Sequence, residues 1–333
     1  MFRIRHFASK GKTMHSSIYI LLLLLGLACP VLSHSCPENL PSSCECEDEF
    51  VDDIVDLELS CSGSSLTEVK KALRLMNTRS RLEVGLDEVD IGTLDSKFFE
   101  GFNVVKLEIS HCQLDSLAEE GAKALTGLED TLQELDISAS FTEDNVPTKL
   151  DLSHLRRLSQ LDLSFNSITE LGNDWFEKEM PSLTDLILSN NAIESLGDRA
   201  FANLHNLRLL WLDGNRFGPI KRSMLPKPAS RLQDLQLDNN AFTDVPDDMF
   251  TEMPELQDLS LRTNGITQMR EKTYRPIWSY IETLDIRGNP LECDSHIEWM
   301  FKEPVEMSLS GRCEGPRGRE GYDLLSLIDS KGQ

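Results

Sequence analysis

Residues 161–171 read "LDLSFNSITEL". Two leucines stand two apart, Asn166 follows three places after the second, and apolar residues return at Ile168 and Leu171. The same template, L-x-L-x-x-N-x-L-x-x-L, recurs at 186–196 ("LILSNNAIESL"), 210–220 ("LWLDGNRFGPI"), 235–245 ("LQLDNNAFTDV") and 259–269 ("LSLRTNGITQM"). Its Asn positions are 166, 191, 215, 240, 264 and 289, always 24 or 25 apart. A fixed period of this length means a repeat array. Run backwards, the frame lands on Ser140, Cys112, Asp87 and Ser62, with the interval from 112 to 140 stretched. "FTEDNVPTK" (141–149) reads there as an irregular bulge between units.

Strand geometry explains the template. In L-x-L, alternate side chains point to opposite faces. The leucines therefore enter a core, and the residue between them faces water. Asn turns the chain, and its amide can bond backbone groups that no ladder reaches. One unit cannot bury its apolar face alone, so units stack and stability is summed from neighbour to neighbour. The template is identified as the leucine-rich repeat. That resemblance implies an α/β solenoid, a horseshoe whose curved parallel sheet lines the concave face, with short helical or extended segments outside. Phe176, Phe201 and Phe250 recur in those outer segments and are expected as a core spine. Near the start, Ser65 and Glu68 form a capping box. Leu66, Val69, Leu73 and Met76 follow with helical spacing.

The first residues fix the compartment. Arg3, Arg5, Lys10 and Lys12 precede "IYILLLLLGLACPVLS". A basic segment, an apolar run and small residues read as a secretory signal peptide over 1–33, cut after Ser33 or Ser35. Translation starting at Met14 and a retained membrane anchor are the competing readings. The apolar run is shorter than the ~20 residues of a comfortable span, and the polar end "LIDSKGQ" carries no lipid-anchor tail. The formal net charge is −23. Loss of residues 1–33 removes four basic and no acidic residues and makes it −27. Phosphates would be repelled by such a surface, so nucleic acid is not an expected partner. A protein ligand with a basic surface is.

Seven cysteines remain after cleavage: Cys36, Cys44, Cys46 and Cys61 near one end, Cys293 and Cys313 near the other, and Cys112 alone. In an oxidising compartment, clustered cysteines read as disulfides. A metal site at Cys44–Cys46 is the weaker alternative, because no second compact Cys/His pair stands near it. The spacing C-x7-C-x-C-x14-C resembles the N-terminal cap of extracellular leucine-rich-repeat proteins, which implies Cys36–Cys46 and Cys44–Cys61. "GNPLECDSHIEWM…RCEGP" resembles the C-terminal cap with one of its two bridges missing, Ser295 standing at one absent position. That implies Cys293–Cys313. Expected boundaries are 34–63 for the first cap, 64–289 for the array and 290–333 for the second cap and tail. The cap, helix and early repeats also resemble arthropod proteins of the Oplophorus-luciferin 2-monooxygenase non-catalytic subunit type. Cys112 occupies an Asn position and is expected as a buried free thiol.

No catalytic motif accompanies the five histidines that follow the leader: neither H-E-x-x-H, nor G-x-S-x-G, nor a glycine-rich phosphate loop. His111, read as lying beside Glu108 and one strand from Asp136, lacks a nucleophile or third ligand. A hydrolase or metal enzyme is therefore the remote reading, and no cofactor or catalytic residue is expected. The outward position four before each Asn reads Glu58, Glu83, Glu108, Asp136, Asp162, Ile187, Trp211, Gln236, Ser260, Asp285. Acids dominate this column, and Asp is common there in such repeats. Ile187, Leu209 and Trp211 interrupt it, with Phe165 one strand away. An exposed Trp is unfavourable unless something covers it. The expected protein-binding surface is Phe165, Ile187, Leu209 and Trp211 within a rim of Asp162, Asp185, Asp213 and Asp234. Accessory subunit of an enzyme and homodimer are the alternatives.

Overall fold

The computed structural model describes residues 36–51, 54–141, 144–302 and 306–331. The expected signal peptide and both candidate cleavage points lie outside the described residues. Twelve strands form one sheet in chain order. They are β1 (Cys44–Val51), β2 (Ile54–Ser62), β3 (Arg81–Asp87), β4 (Val104–Ser110), β5 (Glu134–Ser138), β6 (Gln160–Asp162), β7 (Asp185–Ile187), β8 (Leu209–Trp211), β9 (Asp234–Gln236), β10 (Asp258–Ser260), β11 (Thr283–Asp285) and β12 (Ser308–Ser310). β1 and β2 form an antiparallel hairpin. Every later neighbour is parallel. Template leucines, Leu161 and Leu163 through Leu259 and Leu261, are at most 1% exposed. Burying each such side chain contributes about 1.5–3 kcal/mol.

The asparagines form a ladder at right angles to the strands. Asn191 Nδ2 donates to the Leu188 carbonyl of its own unit and to the Leu163 carbonyl of the preceding one, at 3.0 and 2.9 Å. Its Oδ1 accepts the Ile168 N–H at 3.3 Å. Asn166, Asn215, Asn240, Asn264 and Asn289 repeat the two donor bonds. The residue before each is held in the left-handed region: Phe165, Asn190, Gly214, Asn239, Thr263 and Gly288 have φ between 50° and 72°. Gly and Asn adopt this conformation readily, whereas Phe and Thr do so at a cost.

The first two units depart from the sequence frame. Strand register sets Ser62 beside Asp87 and Asp87 beside Ser110. Ser110 lies two places before Cys112, so the true counterparts of Cys112 are Val89 and Ser64, both buried. The frame on Asp87 and Ser62 was two residues short because the step from Val89 to Cys112 is 23 residues, not 25, and no Asn marks the end of β2 or β3.

Behind the sheet the chain runs mostly through turns, with short two-stranded ribbons. Phe176 meets Phe201 with ring centres 5.9 Å apart, and Phe250 meets Tyr274 at 5.6 Å. Helix α1 (Leu66–Leu75) begins on the expected capping box, Glu68 N–H donating to Ser65 Oγ and Ser65 N–H to Glu68 Oε2. It buries Val69, Ala72 and Leu73. Disulfides join Cys36 to Cys46, Cys44 to Cys61 and Cys293 to Cys313. Cys112 is the free thiol among the described residues.

Candidate protein-binding face

One face of the sheet is apolar and buried, so the other carries whatever the array presents to solvent. Across this face the residues between the template leucines stand in a row. Glu108, Asp136, Asp162, Ile187, Trp211, Gln236, Ser260, Asp285 and Ser310 are direct neighbours from β4 to β12. A second row, two residues upstream, runs Lys106, Glu134, Gln160, Asp185, Leu209, Asp234, Asp258 and Thr283. Adjacent strands lie roughly 4.8 Å apart. Ile187 therefore touches the Trp211 position directly, and Leu209 lies two residues from it on the same side of β8.

Several sequence expectations need correction. Trp211 is half-buried, not exposed, and its indole Nε1 is shielded from solvent without a hydrogen bond of ordinary geometry. The rows pack side chains against one another, which covers much of so large a ring. Phe165 stands one strand from Ile187, in the turn beyond the end of β6, its N–H donating to the Ser189 carbonyl at 3.0 Å. It is 61% exposed. Glu83 sits beside Lys106, not Glu108, because of the frame shift, and Gly85 stands beside Glu108.

The acids around the apolar interruption bond to uncharged neighbours. Asp162 accepts the Ser164 N–H, Asp185 the Thr184 hydroxyl, Asp213 the Ser189 hydroxyl, and Asp234 the Gln236 amide. Among the described residues none of these four forms an ion pair. Towards both ends of the sheet the pattern changes. Arg81 pairs with Asp56 at 3.5 Å, Lys106 reaches Glu108 at 3.9 Å, and Arg262 and Arg287 hold Asp285. Uncompensated carboxylates are thus gathered at the centre of the face.

Asp136 was absent from the sequence-derived site. It sits between Glu108 and Asp162, and one of its oxygens is shielded with no partner. Burial, then the Asp162 carboxylate, pushes its pKa up to about 6. Burial likewise raises Asp234, against hydrogen bonding from Gln236. Three acids in consecutive units at one template position were the available signal, since like charges directly opposite repel.

Near β2–β4 a cleft of about 460 Å³ is lined by Gly85, Ser60, Glu58, Glu83, Lys106 and Glu108, among others. Its serine hydroxyls donate to carboxylates, Ser60 Oγ to Glu58 at 3.3 Å and Ser62 Oγ and Ser110 Oγ to Asp87 at 3.2 and 3.3 Å. His111 lies 3.1 Å from Asp87 at the edge of the sheet, and not with Glu108 and Asp136. Among the described residues no cluster of three or more His, Cys, Asp or Glu is arranged to hold a metal ion. None of the described helices is long and apolar enough to cross a membrane.

Comparison with known proteins gives one family model, the leucine rich repeat, over residues 156–217 and 230–291. Chaoptin of Drosophila melanogaster is 29% identical over 212 residues, 57% of this chain and 16% of that protein. The Oplophorus-luciferin 2-monooxygenase non-catalytic subunit of Oplophorus gracilirostris is 23% identical over 330 residues, 89% of this chain and 86% of that protein. In the crystal structure of a TLR13–ssRNA13 complex, the receptor matches 71% of this chain with 32% of its own, at a TM-score of 0.57 and 22% identity. That last likeness concerns the fold alone.

Proposed function

The chain is a leucine-rich-repeat protein, and we propose that it is a secreted, non-enzymatic binding module that holds a basic protein surface against the middle of its sheet. One observation carries the reading. Ile187, Leu209 and Trp211 break two acidic rows at the place where the surrounding carboxylates lack cationic partners. Binding sites concentrate their energy in a few desolvated aromatic or apolar side chains inside a polar rim. Carboxylates around such a spot favour Lys and Arg on the partner and speed encounter. They repel phosphates, which argues against a nucleic-acid ligand. Secretion is supported by the leader and by three disulfides, which persist in oxidising compartments.

A second reading makes the partner an enzyme. It is favoured by the span of the likeness to the non-catalytic luciferase subunit, which runs over most of both chains. The two readings differ in the partner, not in this protein's chemistry.

Trp211→Ala tests the site. Loss of a central aromatic anchor costs about 2 kcal/mol or more, on the order of 30-fold in affinity. The half-buried ring also contributes to stability, so Trp211→Phe and Ile187→Asp accompany it. Affinity capture with the mature wild-type chain and each variant, read by mass spectrometry, should yield a basic protein that wild type retains and Trp211→Ala and Ile187→Asp lose. Equal capture by all three removes the sheet centre as the site. A captured protein with enzymatic activity favours the second reading.

A further inference from the structure

On the opposite side of the chain's charge balance lies a small basic groove. We infer that the groove between α1 and the turn at Asp95–Phe98 docks an acidic protein segment that carries an apolar side chain. This surface is separate from the sheet face, and neither reading depends on the other.

Between residues 68 and 81 the chain has Lys70, Lys71, Arg74, Arg79 and Arg81 against Glu68 alone, in a protein of net charge −23. Helical spacing puts Lys70, Lys71 and Arg74 on one side of α1, opposite buried Val69, Ala72 and Leu73. All three are exposed, and among the described residues none forms an ion pair. They rim a cleft of about 590 Å³ lined also by Leu66, Phe98 and Asp95, whose carboxylate accepts the Lys97 N–H at 2.9 Å, so three cations face one acid. The Lys70 ammonium stands 5.7 Å from the centre of the Phe98 ring, a cation–π contact that holds it over the groove. Leu75, four residues after Lys71, is 43% exposed.

Three like charges within two turns repel one another, and the Lys70–Arg74 spacing of four is unfavourable in an isolated helix. A carboxylate-bearing ligand relieves this. The apolar floor and the neighbouring Leu75 give nothing to a phosphate or sulfate polymer, but they suit a side chain such as Leu or Phe. Length decides further. A long polyanion leaving the groove meets an acidic surface and is repelled, whereas a short segment stays over the cations.

The test is to pan a peptide-display library on the full wild-type chain and measure the enriched peptides by fluorescence polarisation. Two triple variants are compared: Lys70→Glu/Lys71→Glu/Arg74→Glu, and Lys227→Glu/Arg231→Glu/Lys272→Glu, which changes net charge equally elsewhere. The expected result is enrichment of peptides containing Asp or Glu with Leu or Phe. Their affinity should fall by about tenfold or more in the first variant, fall severalfold in Leu75→Ala, and hold in the second triple variant. If the first variant does not fold, Lys70→Gln/Lys71→Gln/Arg74→Gln must show the loss. No enrichment, peptides that bind all variants alike, or equal loss in both triple variants overturns the proposal. So does tighter binding of dextran sulfate through the same three cations, which would make the groove a polyanion site.

Discussion

The Cys112 thiol donates to the Leu86 carbonyl at 3.4 Å, across 26 residues of sequence. The same sulfur accepts the Val89 N–H at 3.4 Å, and the Cys112 N–H donates to Ser140 Oγ. Cysteine here carries out, with one atom, the donor and acceptor work that the later units assign to an asparagine side chain. Burial raises its pKa, against backbone hydrogen bonding from Val89, so the reactive thiolate is disfavoured. Native protein should resist iodoacetamide and react at one thiol when unfolded. Cys112→Ala should destabilise by about 1–3 kcal/mol, because it strands two buried backbone groups, while Cys112→Ser should recover part of that loss. Rapid alkylation of the native chain would show that the thiol is accessible and not part of the ladder.

The asparagines are not equivalent. Asn191 Oδ1 accepts the Ile168 N–H. Asn240 and Asn264 make the two donor bonds, but their Oδ1 atoms are buried without a partner. An unpaired buried acceptor costs free energy. Asn191→Ala should therefore cost more than Asn240→Ala by about 1 kcal/mol, read as a difference between urea unfolding midpoints. Equal losses would mean that water or a local shift satisfies Asn240.

Most of the fold could be read from the chain because a period of 24 or 25 residues fixes which leucines face inward. What the pattern could not reach was register at the start. Asp87 and Ser62 continue the count, yet hydrogen bonding between strands puts Val89 and Ser64 in those places. Counting residues fails wherever a unit changes length, as the 23-residue step from Val89 to Cys112 does, without an Asn to mark its turn. For the site, the column position of Trp211 was legible, but its half-burial was not, since cover comes from neighbours on two other strands. The conformation of Phe165 was not legible either: it belongs to the turn after the strand, which the template does not state. Perturbation of Asp136 depends on three strands at once.

Asp136 should make stability depend on pH. Its pKa is raised from 3.8 to about 6 in the folded chain. Between those values the folded state binds more protons than the unfolded one, so stability falls as pH rises through the window and the full penalty stands above it. Asp136→Asn removes the charge. Part of the side chain faces solvent, so screening reduces the effect to roughly 1–2 kcal/mol. The variant should melt about 2–4 °C higher than wild type at pH 7.5 and match it near pH 4. Scanning calorimetry of the pair across this range checks it. A gain that persists unchanged at pH 4 would assign the effect to the amide's hydrogen bonding, not to charge.

Phe165 combines two costs that few residues combine. It is 61% exposed, and its φ of 57° lies in the left-handed region. Asn190 and Asn239 hold the corresponding places two of the later turns require, with φ of 54° and 50°. For a bulky side chain that conformation costs roughly 1–2 kcal/mol, and Asn tolerates it through its short polar side chain. Phe165→Asn should therefore stabilise the isolated protein by about 1 kcal/mol. A residue kept against stability is expected where function uses it. The ring stands past the end of β6, beside the acidic and apolar centre of the sheet, and we place it at the margin of the partner's footprint. The same variant should then weaken partner binding while raising the urea midpoint. A lower midpoint would show that the ring packs on its neighbours and is held there by structure, and unchanged binding would take Phe165 out of the footprint.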